Sequence, residues 1–257
     1  MQIQLIRHAT LRIEYADYHL LLDPMLGDAG TAPPIRNSPQ PRPNPLVPLP
    51  EPAEQVVKGI QAVLVTHTHA DHWDGAAANI IPKDVPIFCQ PEDLSKMEAA
   101  DFTHAVSMAR PQTWNDIRIS PTGAQHGTGD IGKAMAPVIG FVLQHPEEPT
   151  LYVAGDTVWC QEVAVAIEQF SPDVIVVNAG GARFLQGDPI TMTAEDTIQV
   201  CRAAPGAQVV AVHMEAINHC LVTRKELAQK ALDAGVVVAI PEDHELLLGF
   251  ERLRSHA

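Results

Sequence analysis

Three histidines and one aspartate fall within six residues in the run His67-Thr68-His69-Ala70-Asp71-His72. In extended chain, side chains two residues apart point to the same side, so the imidazoles of His67 and His69 can grip one ion. Asp71 and His72 come where Trp73-Asp74-Gly75-Ala76-Ala77-Ala78 reads as the opening of a helix. The turn can therefore present a carboxylate and a third imidazole close by, with room for a second ion. Neutral imidazole and carboxylate suit zinc, manganese or iron. No cysteine stands near the run, which speaks against a closed structural zinc site and for an open, catalytic centre.

Such a run needs a rigid element to deliver it. Ala62-Val63-Leu64-Val65-Thr66 is a short apolar stretch that ends abruptly in polar residues, as expected of a strand buried on both faces. Further buried strands are expected at 85–89, 138–143, 150–154, 174–177, 209–212 and 236–240. Residues 3–6, 11–15 and 19–22 read as a three-stranded meander. Beyond Asp23-Pro24 the chain holds nine prolines from Pro33 to Pro52, so neither helix nor central strand can persist and 31–52 is an extended loop. Val163, Ile167 and Phe170 recur at helical spacing. Thr223-Arg224-Lys225-Glu226 is a capping-box pattern ahead of Leu227, Ala231 and Leu232, with Gly235 as the C-terminal stop. Strands early, then strands alternating with helices, imply an α/β chain whose sheets pack face to face with helices outside.

With 257 residues, 46% of them hydrophobic and 19% charged, the chain suits one globular domain over residues 1–257. A formal charge of −14 repels polyanions, and no dense basic run offsets it, so nucleic acid is not an expected partner. The N-terminus reads at once as a strand, without the pattern of a signal peptide. No apolar segment reaches the roughly 20 residues of a membrane helix. A cytoplasmic location and no membrane contact follow as expectations. Cys89, Cys160, Cys201 and Cys220 are widely spaced and read as reduced and mostly buried.

The run matches the H-x-H-x-D-H signature of the metallo-β-lactamase superfamily, and other pieces stand in that family's order over most of the chain. Leu20-Leu21-Leu22-Asp23-Pro24 resembles the family's first motif, an aspartate closing an early strand. Thr122-Gly123-Ala124-Gln125-His126-Gly127 resembles the later single histidine. Tyr152-Val153-Ala154-Gly155-Asp156 resembles the aspartate at a strand end, and Val209-Val210-Ala211-Val212-His213 the last histidine, with His219 as a rival for that place. The resemblance implies a four-layer αββα sandwich of two mixed sheets flanked by helices. It implies two divalent ions, zinc foremost and manganese or iron as alternatives: His67, His69 and His126 hold one, Asp71, His72 and His213 the other, and Asp156 bridges both. Asp23 would orient a ligand imidazole. Leu5-Ile6-Arg7-His8-Ala9-Thr10 and Asp71-His72-Trp73-Asp74 resemble the branch of ascorbate phosphate lactonase-like hydrolases, whereas the stretch from His213 to Cys220 departs from the short ending of that lactonase.

The chemistry such a centre implies is hydrolysis. Paired ions bring a bound water towards neutral pKa, so that a hydroxide can attack a small ester, lactone, amide or phosphodiester with no side-chain nucleophile. Asp71 is placed to receive the water's proton, and His219 is a candidate acid or oxyanion donor facing the substrate. His8, by the same resemblance, reads as a pocket-edge or supporting group. The proline-rich loop starts beside Asp23 and can form a lid or wall, where Arg36 and Arg42 would suit an anionic substrate, unless the loop is an oligomer contact or a solvated linker. A di-iron redox enzyme and a metal-dependent nuclease are the alternative functions on the same fold.

Overall fold

The computed structural model of the protein describes residues 1–250 and 252. The first part of the chain forms β1 (Gln2–Arg7), β2 (Thr10–Tyr15), β3 (Tyr18–Leu22), α1 (Ala53–Val56), β4 (Ala62–Val65), α2 (Gly75–Ile80), β5 (Ile87–Cys89), α3 (Leu94–Ala99) and β6 (Ala105–Ser107). The second part forms β7 (Gln112–Trp114), β8 (Ile117–Gly123), α4 (Gly129–Met135), β9 (Ile139–Gln144), β10 (Leu151–Val153), α5 (Gln161–Phe170), β11 (Val174–Asn178), α6 (Ala194–Ala203), β12 (Gln208–Val212), α7 (Arg224–Ala234) and β13 (Leu246–Leu247). Two sheets result, ordered β13-β1-β2-β3-β4-β5-β6 and β12-β11-β10-β9-β8-β7.

Both sheets are mixed for a local reason. The β2–β3 and β7–β8 connections are two-residue hairpins, Ala16-Asp17 and Asn115-Asp116, and all four residues have positive φ, the requirement of a type I′ turn. From β3 to β6, and from β10 to β12, neighbouring strands are parallel, and the helical crossovers cover the outer faces.

Side-chain alternation builds the layers. Along β4, Ala62 and Leu64 face the other sheet, where they join Leu11, Ile13, Phe141 and Val176 in the central core. Val63 and Val65 face outward and pack with Val56, Ala77 and Met97 of α1, α2 and α3. Along β11, Val174 and Val176 point inward while Ile175 and Val177 meet Val163 and Ile167 of α5 and Val200 of α6. The four-layer α/β sandwich expected from the sequence is what forms.

The meander, the strand before His67 and the later buried strands all occur close to their expected positions. The proline-rich stretch holds no helix or strand until α1, apart from an isolated bridge between Ala32 and Asn44. One expectation fails: 236–240 is not a strand. Ala239 alone bridges to Val210: on its face Ala239 packs against the central core whereas Val237 is 90% exposed, and Pro241 lacks the N–H that would extend the ladder. At α7 the Thr223 hydroxyl accepts from Glu226 N and Gly235 closes the helix in the left-handed conformation. The complete capping box lies instead at α6, between Thr193 and Asp196.

Candidate metal centre

The site forms at one edge of the sandwich, where β1, β3, β4, β8, β10, β11 and β12 all end. Their ends supply His8, Asp23, the 67–72 run, His126, Asp156, Asn178 and His213 respectively. Ligand sites in α/β sheets lie at the carboxyl ends of strands because side chains from separate strands converge there. Gly155 makes the last step possible at β10: its φ is +69°, and a Cβ there would lie 2.7 Å from the Ile139 carbonyl.

All seven proposed ligands converge. Donor atoms of His67, His69 and His126 lie within 4.8 Å of one another, as do those of His67, His72 and Asp156, and those of His8, Asp71, His72 and His213. Asp156 stands between the groups, with Oδ2 3.2 Å from His72 Nε2 and 3.4 Å from His126 Nε2, and Oδ1 3.3 Å from His213 Nε2. Except for His69, which is partly exposed, these residues are buried.

Hydrogen bonds fix which imidazole nitrogen faces the centre. Asp23 accepts from Thr66 N–H through Oδ1 at 2.7 Å, and from the Thr66 hydroxyl at 2.7 Å and His72 Nδ1 at 2.9 Å through Oδ2. With its proton committed to Asp23, the Thr66 oxygen accepts from His67 Nδ1 at 3.0 Å. His126 Nδ1 donates to the Ile190 carbonyl at 2.7 Å. In these three residues Nε2 is therefore the lone-pair nitrogen and points inward. Thr68, between the first two histidines, donates to buried Asp93 at 2.6 Å and anchors their turn.

That arrangement calls for cations. His67 Nε2 is buried without any hydrogen-bond partner, the lone pair of His126 faces a carboxylate oxygen, and His72 Nε2 faces His213 Nε2 at 3.1 Å. Acceptors converge on acceptors, which costs energy unless positive charge lies among them. Burial lowers His72, yet Asp156, Asp23 and Asp71 outweigh it and hold the group well above the usual imidazole range, so with no ion among the donors a proton takes the place on Nε2 that a cation would fill. Burial raises Asp71 and Asp156, yet the imidazoles around them, His72 foremost for Asp71 and His213 foremost for Asp156, outweigh it and hold both well below the carboxylate range. All-nitrogen and oxygen donors in this geometry fit divalent metal ions.

His8 is fully buried, its Nε2 lies 3.2 Å from Asp71 Oδ2 and its ring stacks on His213 with centroids 3.6 Å apart. Burial, reinforced by His213, lowers its pKa to about 3, so it is neutral. The supporting position expected from sequence is where it stands. His219 lines a cavity of about 160 Å³ together with His69, Asp71, His126, Asp156 and the apolar Ile35, Met135 and Phe184. Burial pushes its pKa down to about 4, so it too is neutral. Glu215 turns away to pair with Arg224 at 2.6 Å.

Two contributors escape a motif reading. Asn178 Nδ2 donates to Asp156 Oδ1 at 2.7 Å; its only signal is that it ends an apolar run, as Asp156 and His213 follow theirs. Gly180 leaves room for His213, whose carbonyl oxygen would lie 2.2 Å from a Cβ at that position. The proline-rich loop reaches the site through Asn218, which accepts from Ile35 N and Asn44 Nδ2 and donates to Ser38 Oγ, Gln40 O and Asn44 Oδ1. Buried Arg7 holds the loop's start by donating to the carbonyls of Met25, Gly27 and Val47. Arg36 stands exposed beside Ile35, and Arg42 is exposed farther along the loop.

Among the described residues, no helix is long and apolar enough to cross a membrane. A family model described as a beta-lactamase superfamily domain matches residues 18–214. The UPF0173 protein YddR of Bacillus subtilis (strain 168) is 38% identical over 95% of this chain and 98% of its own length. An isothiocyanate hydrolase from Delia radicum gut bacteria superposes with a TM-score of 0.92 at 36% identity, covering 97% of this chain and 99% of that one. A possible metal-dependent hydrolase from Veillonella parvula DSM 2008 superposes with a TM-score of 0.93 at 32% identity over 96% of this chain and 98% of that one. The strand-end histidines and aspartates, the two-sheet sandwich and these likenesses agree: the chain belongs to the UPF0173 family of metal-dependent hydrolases within the beta-lactamase superfamily.

Proposed function

We propose that this enzyme is a binuclear hydrolase that adds water to an electrophilic carbon of a small neutral molecule, with an isothiocyanate as the substrate class. The observation that carries the reading is the cavity of about 160 Å³, which sets His69, Asp71, His126 and Asp156 on one side and Ile35, Met135 and Phe184 on the other, beside neutral His219. Such a space suits a compact, uncharged reacting group. The isothiocyanate hydrolase that is 36% identical over 97% of this chain supports the class.

His67, His69, His126 and Asp156 would hold one divalent ion, and Asp71, His72, His213 and Asp156 the other, with zinc foremost and manganese or iron as alternatives. Bound there, the ions supply a hydroxide near neutral pH and take up developing negative charge. Asp71, kept in place by His8 Nε2 at 3.2 Å, receives the proton of the attacking water. The imidazole of His219 donates an N–H to the substrate heteroatom that gains charge. Ile35, Met135 and Phe184 exclude bulk water from the reacting carbon. The reaction is R–N=C=S + H2O → R–NH2 + O=C=S: the water oxygen bonds to the central carbon, both its protons end on nitrogen, and the carbon–nitrogen bond breaks.

The test is to purify the protein without chelator, count its metal ions, and assay isothiocyanates alongside lactones, esters, amides and phosphodiesters, before and after chelation. The expected result is two ions per chain and amine release that chelation abolishes and metal restores. A two-metal protein that leaves isothiocyanates intact but cleaves another class overturns the substrate; a protein that binds no divalent ion overturns the whole reading. His219→Ala is expected to lower kcat roughly a hundredfold with metal content unchanged.

A further inference from the structure

The cavity at the donors holds a reacting group and little more, so any organic substituent must extend out of it. It opens beside a second chamber of about 470 Å³ that shares Ile35, Ala70 and Asp71 with it, a volume within the roughly 300–1,000 Å³ of small-molecule sites. Met25, Pro33, Pro34, Trp73 and Ile217 supply large apolar side chains to the rest of its wall.

The polar groups of that wall are already engaged. Asp74 Oδ1 accepts from Ala77 N at 2.8 Å and its Oδ2 from Gly27 N at 2.7 Å. Both side-chain ends of Asn44 are held by Asn218, at 2.8 and 2.9 Å. The Thr31 hydroxyl donates to the Asp28 carbonyl at 2.7 Å. Apart from Asp71 at the junction and Arg36, whose residue is exposed, the chamber presents apolar surface, and a polar or charged group entering it would lose water without gaining a partner.

We propose that this chamber is the subsite for the substrate's organic substituent and that it selects an uncharged, apolar group, an alkyl chain or an aromatic ring, while the reacting carbon sits at the donors. The inference rests on the hydrolase reading for its substrate but not for its binding. Burial of each further methylene is expected to tighten binding about fourfold until the chamber is full. The proline-rich loop thereby sets specificity: Ile35 stands between the two spaces, and Asn218 holds its backbone N–H at 3.0 Å.

The chamber is tested without turnover by titrating straight-chain alcohols from 1-propanol to 1-heptanol into metal-free and metal-loaded protein, following the Trp73 indole N–H by NMR. Affinity should climb with chain length in both forms. Two variants add bulk at the chamber wall from different sides, Ala32→Trp and Gly75→Phe; a Cβ at Gly75 meets no atom within 4 Å, so the first atom of that side chain finds open space. Each is expected to weaken 1-hexanol at least tenfold and to lower the ratio of kcat/KM for hexyl over methyl isothiocyanate by a similar factor. Affinity that ignores chain length, or two variants that both bind 1-hexanol as the wild type does, overturns the subsite. Because alcohol binding needs no metal and no reaction, its failure is distinct from failure of isothiocyanate hydrolysis.

Discussion

Asp23 touches two of the metal-facing histidines without facing the centre itself: directly through His72 Nδ1, and through the Thr66 hydroxyl for His67. A carboxylate accepts all three hydrogen bonds offered to it, whereas an amide in its place must turn a donor towards one of them. Asp23→Asn is therefore expected to leave the fold intact and weaken metal binding roughly 10- to 100-fold, read by competition with a chromogenic chelator; unchanged affinity would mean the tautomers are set elsewhere. Gly180→Ala should act on one side of the centre. Its methyl group drives into the His213 carbonyl, so on the proposed two-ion reading one ion would be lost on dialysis while the other stays, which metal analysis reads directly. His213 also carries backbone strain, with a φ of 70°, as do His8 at 61° and Asp23 at 42°. Such left-handed conformations cost about 1 kcal/mol or more apiece, and here they coincide with the residues that must turn inward.

Parallel strand ends hold the donors at fixed spacing, while an irregular segment closes the substrate side. What makes that segment rigid is Asn218, fully buried, with every polar atom of its side chain engaged by the loop. Asn218→Ala removes four side-chain hydrogen bonds, so about 4 kcal/mol of stability is expected to go at ~1 kcal/mol per hydrogen bond, measured as a lower urea midpoint. Cleavage by a nonspecific protease should move to residues 27–52; a variant cut no faster there would show that Arg7 alone suffices. Within the sheets the tolerance is smaller still. A Cβ at Gly140 would lie 2.4 Å from Thr122 Oγ1 and 2.6 Å from the Val153 carbonyl, so Gly140→Ala is expected to cost about 1–3 kcal/mol, read from the same denaturation curve.

The molecule as a whole collects two carboxylates and several imidazoles in a buried space at the junction of its sheets, and carries a formal charge of −14. Folding without a cation leaves those groups to share protons or go unpaired. Metal binds the folded arrangement and has no comparable site in the unfolded chain, so it stabilises by mass action, about 2.7 kcal/mol at a hundred times its Kd. The melting temperature is expected to rise with added zinc or manganese and to fall on chelation, by several degrees in a scanning experiment. A melting temperature indifferent to both would contradict a buried metal centre.

How much of this was written in the chain order alone follows from distance along it. The 67–72 run, the apolar strand that delivers it, and the strand-end aspartate and histidines at 23, 126, 156 and 213 are local patterns, and strand periodicity is a local property of backbone and burial. The hairpins at Ala16-Asp17 and Asn115-Asp116 were partly legible, since asparagine and aspartate tolerate positive φ whereas alanine does not advertise it. The segment 236–240 misled because strand propensity says nothing about how far a neighbouring strand accompanies it, and here only Ala239 bridges while Val237 is left exposed. Sequence by itself placed the candidate donors at strand ends and pointed to the kind of chemistry they can do. Tertiary structure decided the rest: that His8 stacks on His213 and holds Asp71, that Asn178 donates to Asp156, and that Ile35, Trp73 and Ile217 meet around one chamber. The physical reason is that ligand identity is a property of single residues, whereas the shape and polarity of a pocket arise from surfaces brought together by two sheets and a loop.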